Sequence, residues 1–250
     1  MRLKDKVAII TGGASGIGRS TCIKFIEEGA KVVVADFNES TGAETIKMLK
    51  EKGGDAVFKK VDASDFNQVV ELVNFTVETF GRIDTIFNNA GIGVAKPILE
   101  LEPADYEKVI KINQDGVYYG ILAAGRKMKE LGIQGTIINT SSIFGFIANA
   151  GSFAYNTSKG AVRLMTQTAA AELAEFGIRV VGIAPGVVDT PIHDPVKERG
   201  IAHIITNKQM TKKFTPPSDI ANVVAFLASD EARAINGTTV LVDDGYTSFK

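Results

Sequence analysis

Short apolar runs alternate with longer stretches of helical periodicity along the whole chain. Lys6–Ile10, Lys31–Ala35, Ala56–Val61, Ile83–Phe87, Thr136–Asn139, Arg179–Ala184 and Thr238–Val242 are β-branched runs of four to six residues and read as strands. Between them lie helical stretches at Arg19–Glu28, Glu39–Lys52, Phe66–Phe80, Pro103–Leu131, Tyr155–Phe176 and Asp219–Ala228. The Pro103–Leu131 stretch is amphipathic and interrupted by Gly116, Gly120 and Gly125, which suggest close packing against another element or subunit. Asn113 stands inside it among Val109, Ile112 and Val117, as a surface residue or a local kink. Strand and helix alternate without a linker or internal repeat. The order predicts one α/β domain over residues 1–250, a doubly wound seven-stranded parallel sheet with helices on both faces. Periodicity fails only from Pro191 to Pro217, and a mobile substrate lid is expected over roughly residues 189–217.

The first strand runs directly into Thr11-Gly12-Gly13-Ala14-Ser15-Gly16-Ile17-Gly18 and then a helix, the opening unit of a Rossmann-type nucleotide-binding fold. Glycines 12, 16 and 18 permit a tight turn and close approach of a pyrophosphate, with the helix N-terminus offering free N–H groups to the anion. Asp36 ends the second strand, eighteen residues after Gly18, where a carboxylate accepts hydrogen bonds from ribose hydroxyls and repels a 2′-phosphate. Phe37 and Ser15 occupy places where an NADP site would call for a basic side chain. NAD is therefore the expected cofactor and NADP is disfavoured. Asp62 ends the third strand and is expected at the adenine edge, with Ser64 or Asp65 equally readable as a helix cap. Asn88-Asn89-Ala90-Gly91 ends the fourth strand in small residues that leave room for the nicotinamide half of a ligand lying over the sheet.

The fifth strand breaks into Thr140-Ser141-Ser142, and a helix re-forms near Tyr155. Tyr155 and Lys159 are four apart and share one helix face. An ammonium beside a phenol favours the phenolate, which predicts a lowered Tyr155 pKa and a general acid/base near neutral pH. A serine at the preceding strand end could hold a carbonyl oxygen. None of these side chains carries a hydride, so a cofactor must supply it.

Composition narrows the classes. Of 250 residues, 45% are hydrophobic and 23% charged, with a net charge of −1 and a pI near 6.2, which describes a globular chain without a basic nucleic-acid or anionic-membrane footprint. No apolar run approaches a membrane span, and the single cysteine, Cys22, suits a reducing cytoplasm. His193 and His203 have no cysteine or acidic helix beside them, so no metal site is expected. A Gly-x-Ser-x-Gly elbow is absent, which argues against a serine hydrolase.

Taken together, Thr11-Gly12-x3-Gly16-Ile17-Gly18, Asp36, Asp62, Asn88-Asn89-Ala90-Gly91, Asn113, Ser141-Ser142, Tyr155-x3-Lys159 and Pro185-Gly186 with Thr190 resemble the short-chain dehydrogenase/reductases, over the entire chain and in the family's order. The resemblance implies a catalytic set of Asn113, Ser142, Tyr155 and Lys159. In it Tyr155 exchanges a proton with the substrate oxygen and Ser142 holds that oxygen. Lys159 binds the nicotinamide ribose and holds the tyrosine pKa down, and Asn113 anchors a relay water. Cofactor contacts implied are Gly12, Ser15, Ile17, Gly18, Asp36, Phe37, Asp62, Ala63, Asn89, Ala90, Gly91, Tyr155, Lys159, Pro185, Gly186, Val188 and Thr190. A homotetramer built on the two long helices and the last helix and strand is also implied. Many relatives read Val-Asp-Gly-Gly near the C-terminus, whereas this chain has Val242-Asp243-Asp244-Gly245, which places an extra carboxylate at a possible subunit contact.

The expected activity is NAD-dependent interconversion of a secondary alcohol and its ketone. Gly93, Val94, Ile143, Asn149, Val187, Ile192 and Met210 are expected to face the substrate, with Ser142, Phe144, Phe153 and Tyr155 binding it. This mostly apolar set favours a neutral cyclic, aliphatic, diol or sterol-like molecule. The alternatives are a 3-oxoacyl-carrier-protein reductase, which Asp36 disfavours because that role usually draws on NADPH, and a non-catalytic NAD-binding sensor, which the complete catalytic set disfavours.

Overall fold

A computed structural model describes residues 1–248; Phe249 and Lys250, the end of the expected domain and tail, lie outside the described residues. Seven parallel strands form one sheet in the order β3-β2-β1-β4-β5-β6-β7. They are β1 (Val7–Thr11), β2 (Lys31–Asp36), β3 (Ala56–Lys60), β4 (Thr85–Asn88), β5 (Thr136–Thr140), β6 (Arg179–Pro185) and β7 (Thr239–Val242). Every residue of β1, β4 and β5 is buried. This explains their unbroken apolar runs: a strand covered on both faces has no solvent side to mark with polar residues.

Alternate side chains feed two separate cores. Ala8, Ile10, Val32 and Val34 point to one layer with Cys22 and Phe25 of α1 (Gly16–Glu27), Leu49 of α2 (Glu39–Glu51) and Ile220 and Val224 of α9 (Pro217–Ala228). Ile9, Val33, Ile86 and Ile137 point to the other, with Val69 and Leu72 of α3 (Phe66–Phe80), Ala124 and Met128 of α5 (Gly116–Leu131) and Ala170 of α6 (Phe153–Leu173). The chain reverses its winding between β1 and β4, so the loops at the carboxyl ends of those strands part and leave a crevice.

Two expectations change at this level. The helical stretch 103–131 is continuous through its glycines, but it contains a π-turn at Lys111–Asp115 between α4 (Pro103–Ile110) and α5. Gly120 is there for packing: a Cβ would lie within contact of the Asn88 side chain, closer than any real contact. Residues 191–217 are not structureless either. A 3₁₀ turn at Pro191–His193 leads into α7 (Asp194–Glu198) and α8 (Ala202–Thr206) before α9. Helices this short, each about one turn, bury little and leave almost no periodic signature. The arms of this segment meet in a parallel bridge, Val188 with Thr215, closed by Thr215 N–H donating to the Val187 carbonyl at 2.9 Å and Asp189 N–H donating to the Thr215 carbonyl at 2.9 Å.

Candidate active site

The crevice is a cleft of about 920 Å³ running from Asp36 and Asp62 at one end to Tyr155 and Ile192 at the other. At its centre β1 delivers the glycine loop. Gly12 (φ 64°) and Gly16 (φ 50°) lie in the left-handed region, and a Cβ at Gly16 would press on Thr190 at 3.1 Å. Ser15 is the N-cap of α1 and makes no side-chain capping bond, so the first amides of a twelve-residue helix open onto the cleft. Asn89 ties the neighbouring loop down by donating from Nδ2 to the Thr11 carbonyl at 3.1 Å, while Thr11 Oγ1 accepts from the amides of Asn89 and Ala90.

Asp36 is fixed by two amides: Oδ2 accepts from Ala14 N–H and Oδ1 from Asn38 N–H, each at 3.0 Å. Each oxygen keeps a further lone pair for a ligand hydroxyl. Asp62 lines the cleft and accepts from Ser64 N–H and Oγ–H, whereas Asp65 caps α3 through Asn67 N–H and Gln68 N–H. The cap is thus Asp65, and Asp62 is left facing the cleft. Phe37 also lines it, two-thirds exposed beneath the Lys60 ammonium. Of the expected cofactor contacts, all but Gly18 form the wall. Gly18 lies behind it, where a Cβ would run into the Gly12 carbonyl. A glycine cradle and a helix N-terminus at the centre of the cleft, with the Asp36 carboxylate beside them towards one end, fit an elongated dinucleotide.

The other end holds Ser142, Tyr155 and Lys159, all on the cleft wall. Lys159 is 3% exposed, and its Nζ donates to the Thr140 carbonyl at 2.7 Å. Burial lowers its pKa to about 8. Tyr155 is half-buried as a whole, with the Lys159 ammonium 5.6 Å from its ring centroid. Its pKa is raised, not lowered: loss of solvation outweighs the downward pull of the Ser142 hydroxyl. The expectation from Tyr155–Lys159 spacing is corrected here for the protein alone. Helix spacing brings the pair together, but the ammonium is bonded to a carbonyl and the phenol sits in a poorly solvated pocket.

Asn113 is neither exposed nor on the cleft wall. It is fully buried in the π-turn, with Oδ1 accepting from Ile92 N–H at 2.8 Å and Nδ2 donating to the Ile92 carbonyl at 2.9 Å and to Ser158 Oγ at 3.3 Å. It clamps the Gly91–Ile92 turn beside Lys159; a Cβ built on Gly91 would stand 3.3 Å from Asn113 Oδ1 and 3.6 Å from Lys159 Nζ. Its side chain therefore positions the fourth loop.

The expected substrate residues divide. Gly93 and Ile192 line the cleft with Ser142 and Tyr155. Phe144 stands edge-on to Tyr155, with centroids 6.5 Å apart. Phe153 does not line the cleft: it is half exposed at the start of α6, 6.2 Å from Tyr106, because two positions before Tyr155 a helical residue points to the other side. Met210 lies against Gly245 at the C-terminal turn, and Val187 is buried in a small core with Ile143 and Tyr246. Asp244, expected at a subunit contact, bonds within the chain to Thr211. His193 and Lys108 line the cleft without having been expected there. His193 donates from Nδ1 to the Val188 carbonyl at 2.8 Å, and burial lowers its pKa. Its closeness to Thr190 in sequence was the available sign.

A family profile described as enoyl-(acyl carrier protein) reductase matches residues 12–247. An NADP-dependent (R)-specific alcohol dehydrogenase of Lentilactobacillus kefiri is 39% identical over 253 residues, covering 99% of this chain and 98% of that protein. 3beta-hydroxysteroid dehydrogenase 2 of Eggerthella lenta is 40% identical over 251 residues, covering 99% and 96%. The crystal structure of levodione reductase superposes with a TM-score of 0.94 at 35% identity, covering 99% of this chain and all of that one. With a profile spanning nearly the whole sequence, full-length relatives and the parallel sheet with its Ser-Tyr-Lys cleft, the chain belongs to the short-chain dehydrogenase/reductase family of nicotinamide-dependent oxidoreductases.

Proposed function

We propose that the protein interconverts a neutral secondary alcohol and its ketone with NAD, with Asn113, Ser142, Tyr155 and Lys159 as its working set. The observation that carries this reading is the placement of Ser142, Tyr155 and Lys159 at one end of a cleft whose other end is closed by the Asp36 carboxylate. When bound, the nicotinamide accepts or supplies the hydride. Tyr155 Oη takes the alcohol proton, or returns it to the carbonyl oxygen. The Ser142 hydroxyl orients that oxygen. Lys159 spends one N–H on Thr140 and has two left for the ribose hydroxyls, and its charge favours the phenolate against the upward push of burial. Asn113 fixes the loop that faces the nicotinamide.

NAD is favoured over NADP by Asp36, because its carboxylate would meet a 2′-phosphate. That the Lentilactobacillus relative is NADP-dependent by name makes the point a direct test. The apolar Ile92, Ile192 and Pro195 on the wall support a neutral substrate, as do the alcohol and hydroxysteroid substrates named for the relatives. The profile's description favours a second reading, reduction of a carrier-bound acyl group. A homotetramer is the proposed assembly, supported by an apolar groove along α5 and α6 where Leu164 and Tyr118 stand about half exposed. No helix among the described residues is long and apolar enough to cross a membrane.

The test follows reduced-nicotinamide absorbance, with NAD and NADP separately for small, cyclic and sterol-sized secondary alcohols and with NADH and NADPH separately for a 3-oxoacyl thioester. Turnover of alcohols with NAD is expected. Turnover confined to the thioester with NADPH would replace this reading with the second one.

A further inference from the structure

A second connection reaches the site from the C-terminus. Beyond β7 the chain turns through Asp243–Thr247, where the Asp243 carboxylate accepts from Gly245 N–H at 3.2 Å and from Thr247 N–H and Oγ–H at 2.9 and 2.7 Å. That turn presents two things to the lid. The first is Asp244, whose Oδ2 accepts from Thr211 N–H at 2.9 Å and Thr211 Oγ–H at 2.6 Å, while its carbonyl accepts from Met210 N–H at 2.9 Å. The second is Tyr246, which is 8% exposed and packs with Ile143, Val187, Phe144 and the lid residues Ile205 and Phe214. Its ring meets Phe144 edge-on at 6.2 Å, and Phe144 meets Tyr155 edge-on at 6.5 Å.

Thr211 belongs to the arm of the lid that descends from α8. The same arm is held two residues earlier by Gln209, fully buried, whose Oε1 accepts from Val187 N–H at 2.6 Å. The carboxylate is therefore the outer of two clasps on one arm. It is also held at a conformational cost, because Asp244 adopts φ 47°, the left-handed region where a residue with a Cβ is disfavoured and glycine is not. Simple turn formation would be served better by glycine. What the aspartate adds is the two bonds to Thr211.

We propose that Asp244 is a positioning residue for the alcohol–ketone reaction: its carboxylate latches the descending lid arm to the C-terminal turn and so sets how tightly the lid closes over the substrate beside Tyr155. This rests on the function proposed above. Asp244 does not line the cleft; it acts through Thr211 and the turn that carries Tyr246.

The test compares Asp244→Gly with Asp244→Asn in the full chain. Glycine removes the carboxylate and relaxes the backbone, so folding is preserved. Asparagine tolerates the left-handed turn and keeps an acceptor oxygen. With Asp244→Gly, KM for the best alcohol found in the screen rises roughly tenfold, the equivalent of one charge-assisted hydrogen bond, while the thermal midpoint does not fall. Hydrogen exchange at the Thr211 amide accelerates by a similar factor, and Asp244→Asn restores most of both. An unchanged KM, or unchanged exchange at Thr211, would overturn the latch. So would a loss of kcat and thermal midpoint together without rescue by asparagine. Exchange needs no turnover, so a latch that fails is distinguishable from a substrate assignment that fails.

Discussion

Replacing Lys159 by methionine removes an ammonium that the fold buries almost completely. Burial moves its pKa from the ordinary 10.5 to about 8, so the native protein holds that proton less tightly than the unfolded chain does. The sign follows from linkage. Between those two values the unfolded chain binds more protons than the native state, so stability rises with pH. Below pH 8 both states are protonated and the full penalty is present. At about 1.4 kcal/mol per pH unit the penalty is about 3 kcal/mol at pH 7 and about 1 kcal/mol at pH 10. Methionine has similar length and no proton. The variant also loses the bond from Nζ to the Thr140 carbonyl, which offsets the gain by about 1–2 kcal/mol at every pH. The expected result is a variant about 1–2 kcal/mol more stable than wild type at pH 7, an advantage that declines by about 2 kcal/mol towards pH 10, with turnover abolished. Urea unfolding of both proteins at pH 7, 8.5 and 10 reads it, because titrating groups that do not interact with Lys159 cancel in the difference. Parallel stability curves over that range would refute the claim that the fold bears the cost of a charged Lys159.

Three further outcomes are expected. Tyr155→Phe lowers kcat by about 10²–10⁴-fold while NAD binding, read by fluorescence titration, stays nearly unchanged, because only the transferable proton is lost. Asp36→Ala lowers the ratio of kcat/KM for NAD over NADP by about tenfold or more, and an unchanged ratio would remove the carboxylate from the ribose site. Glu28 is held at a pKa of about 2 by Arg2, whose guanidinium lies 2.7 Å away. Its stabilisation is present above the ordinary carboxylate value near 4.5 and is lost as pH falls towards 2. Glu28→Gln therefore costs about 1–2 kcal/mol at pH 7, a figure reduced for the partial exposure of Arg2, and almost nothing at pH 2, as acid and neutral urea unfolding will show.

The strands and the glycine-loop part of the cleft wall are legible in the sequence because their signals are local. The strands that end at Thr11 and Asp36 carry a cleft-lining residue at or one position beyond their carboxyl ends, and the parallel topology brings those ends together without further information. Helix spacing likewise paired Tyr155 with Lys159. The π-turn was hidden because one inserted residue barely disturbs a pattern of period 3.6, so the stretch 103–131 still reads as a single helix. Phe153 was misplaced because an aromatic near a catalytic helix says nothing of which face it occupies, and two positions before Tyr155 it points the other way. The lid's clasps join residues far apart in the chain, Gln209 to Val187 and Asp244 to Thr211, and no local pattern encodes such pairs.

The raised pKa of Tyr155 and the lowered pKa of Lys159 share one cause. Both side chains lose solvation by burial in the wall of the cleft. For Lys159 burial disfavours the charge that the tyrosine needs beside it. For Tyr155 burial disfavours the phenolate that would take the proton. Each group alone is therefore poised against its task, but the two charged forms favour each other, and their attraction is stronger in a poorly solvated site than in water. A second negative charge or a wide opening to solvent would spoil that balance. Among the described residues no carboxylate is paired with Lys159: beside it are the Thr140 carbonyl, Gly91 and an asparagine whose amide is spent on Ile92 and Ser158. In the proposed reaction tight lid closure then matters for proton transfer as well as for affinity, because admitting water would weaken the coupling between phenolate and ammonium.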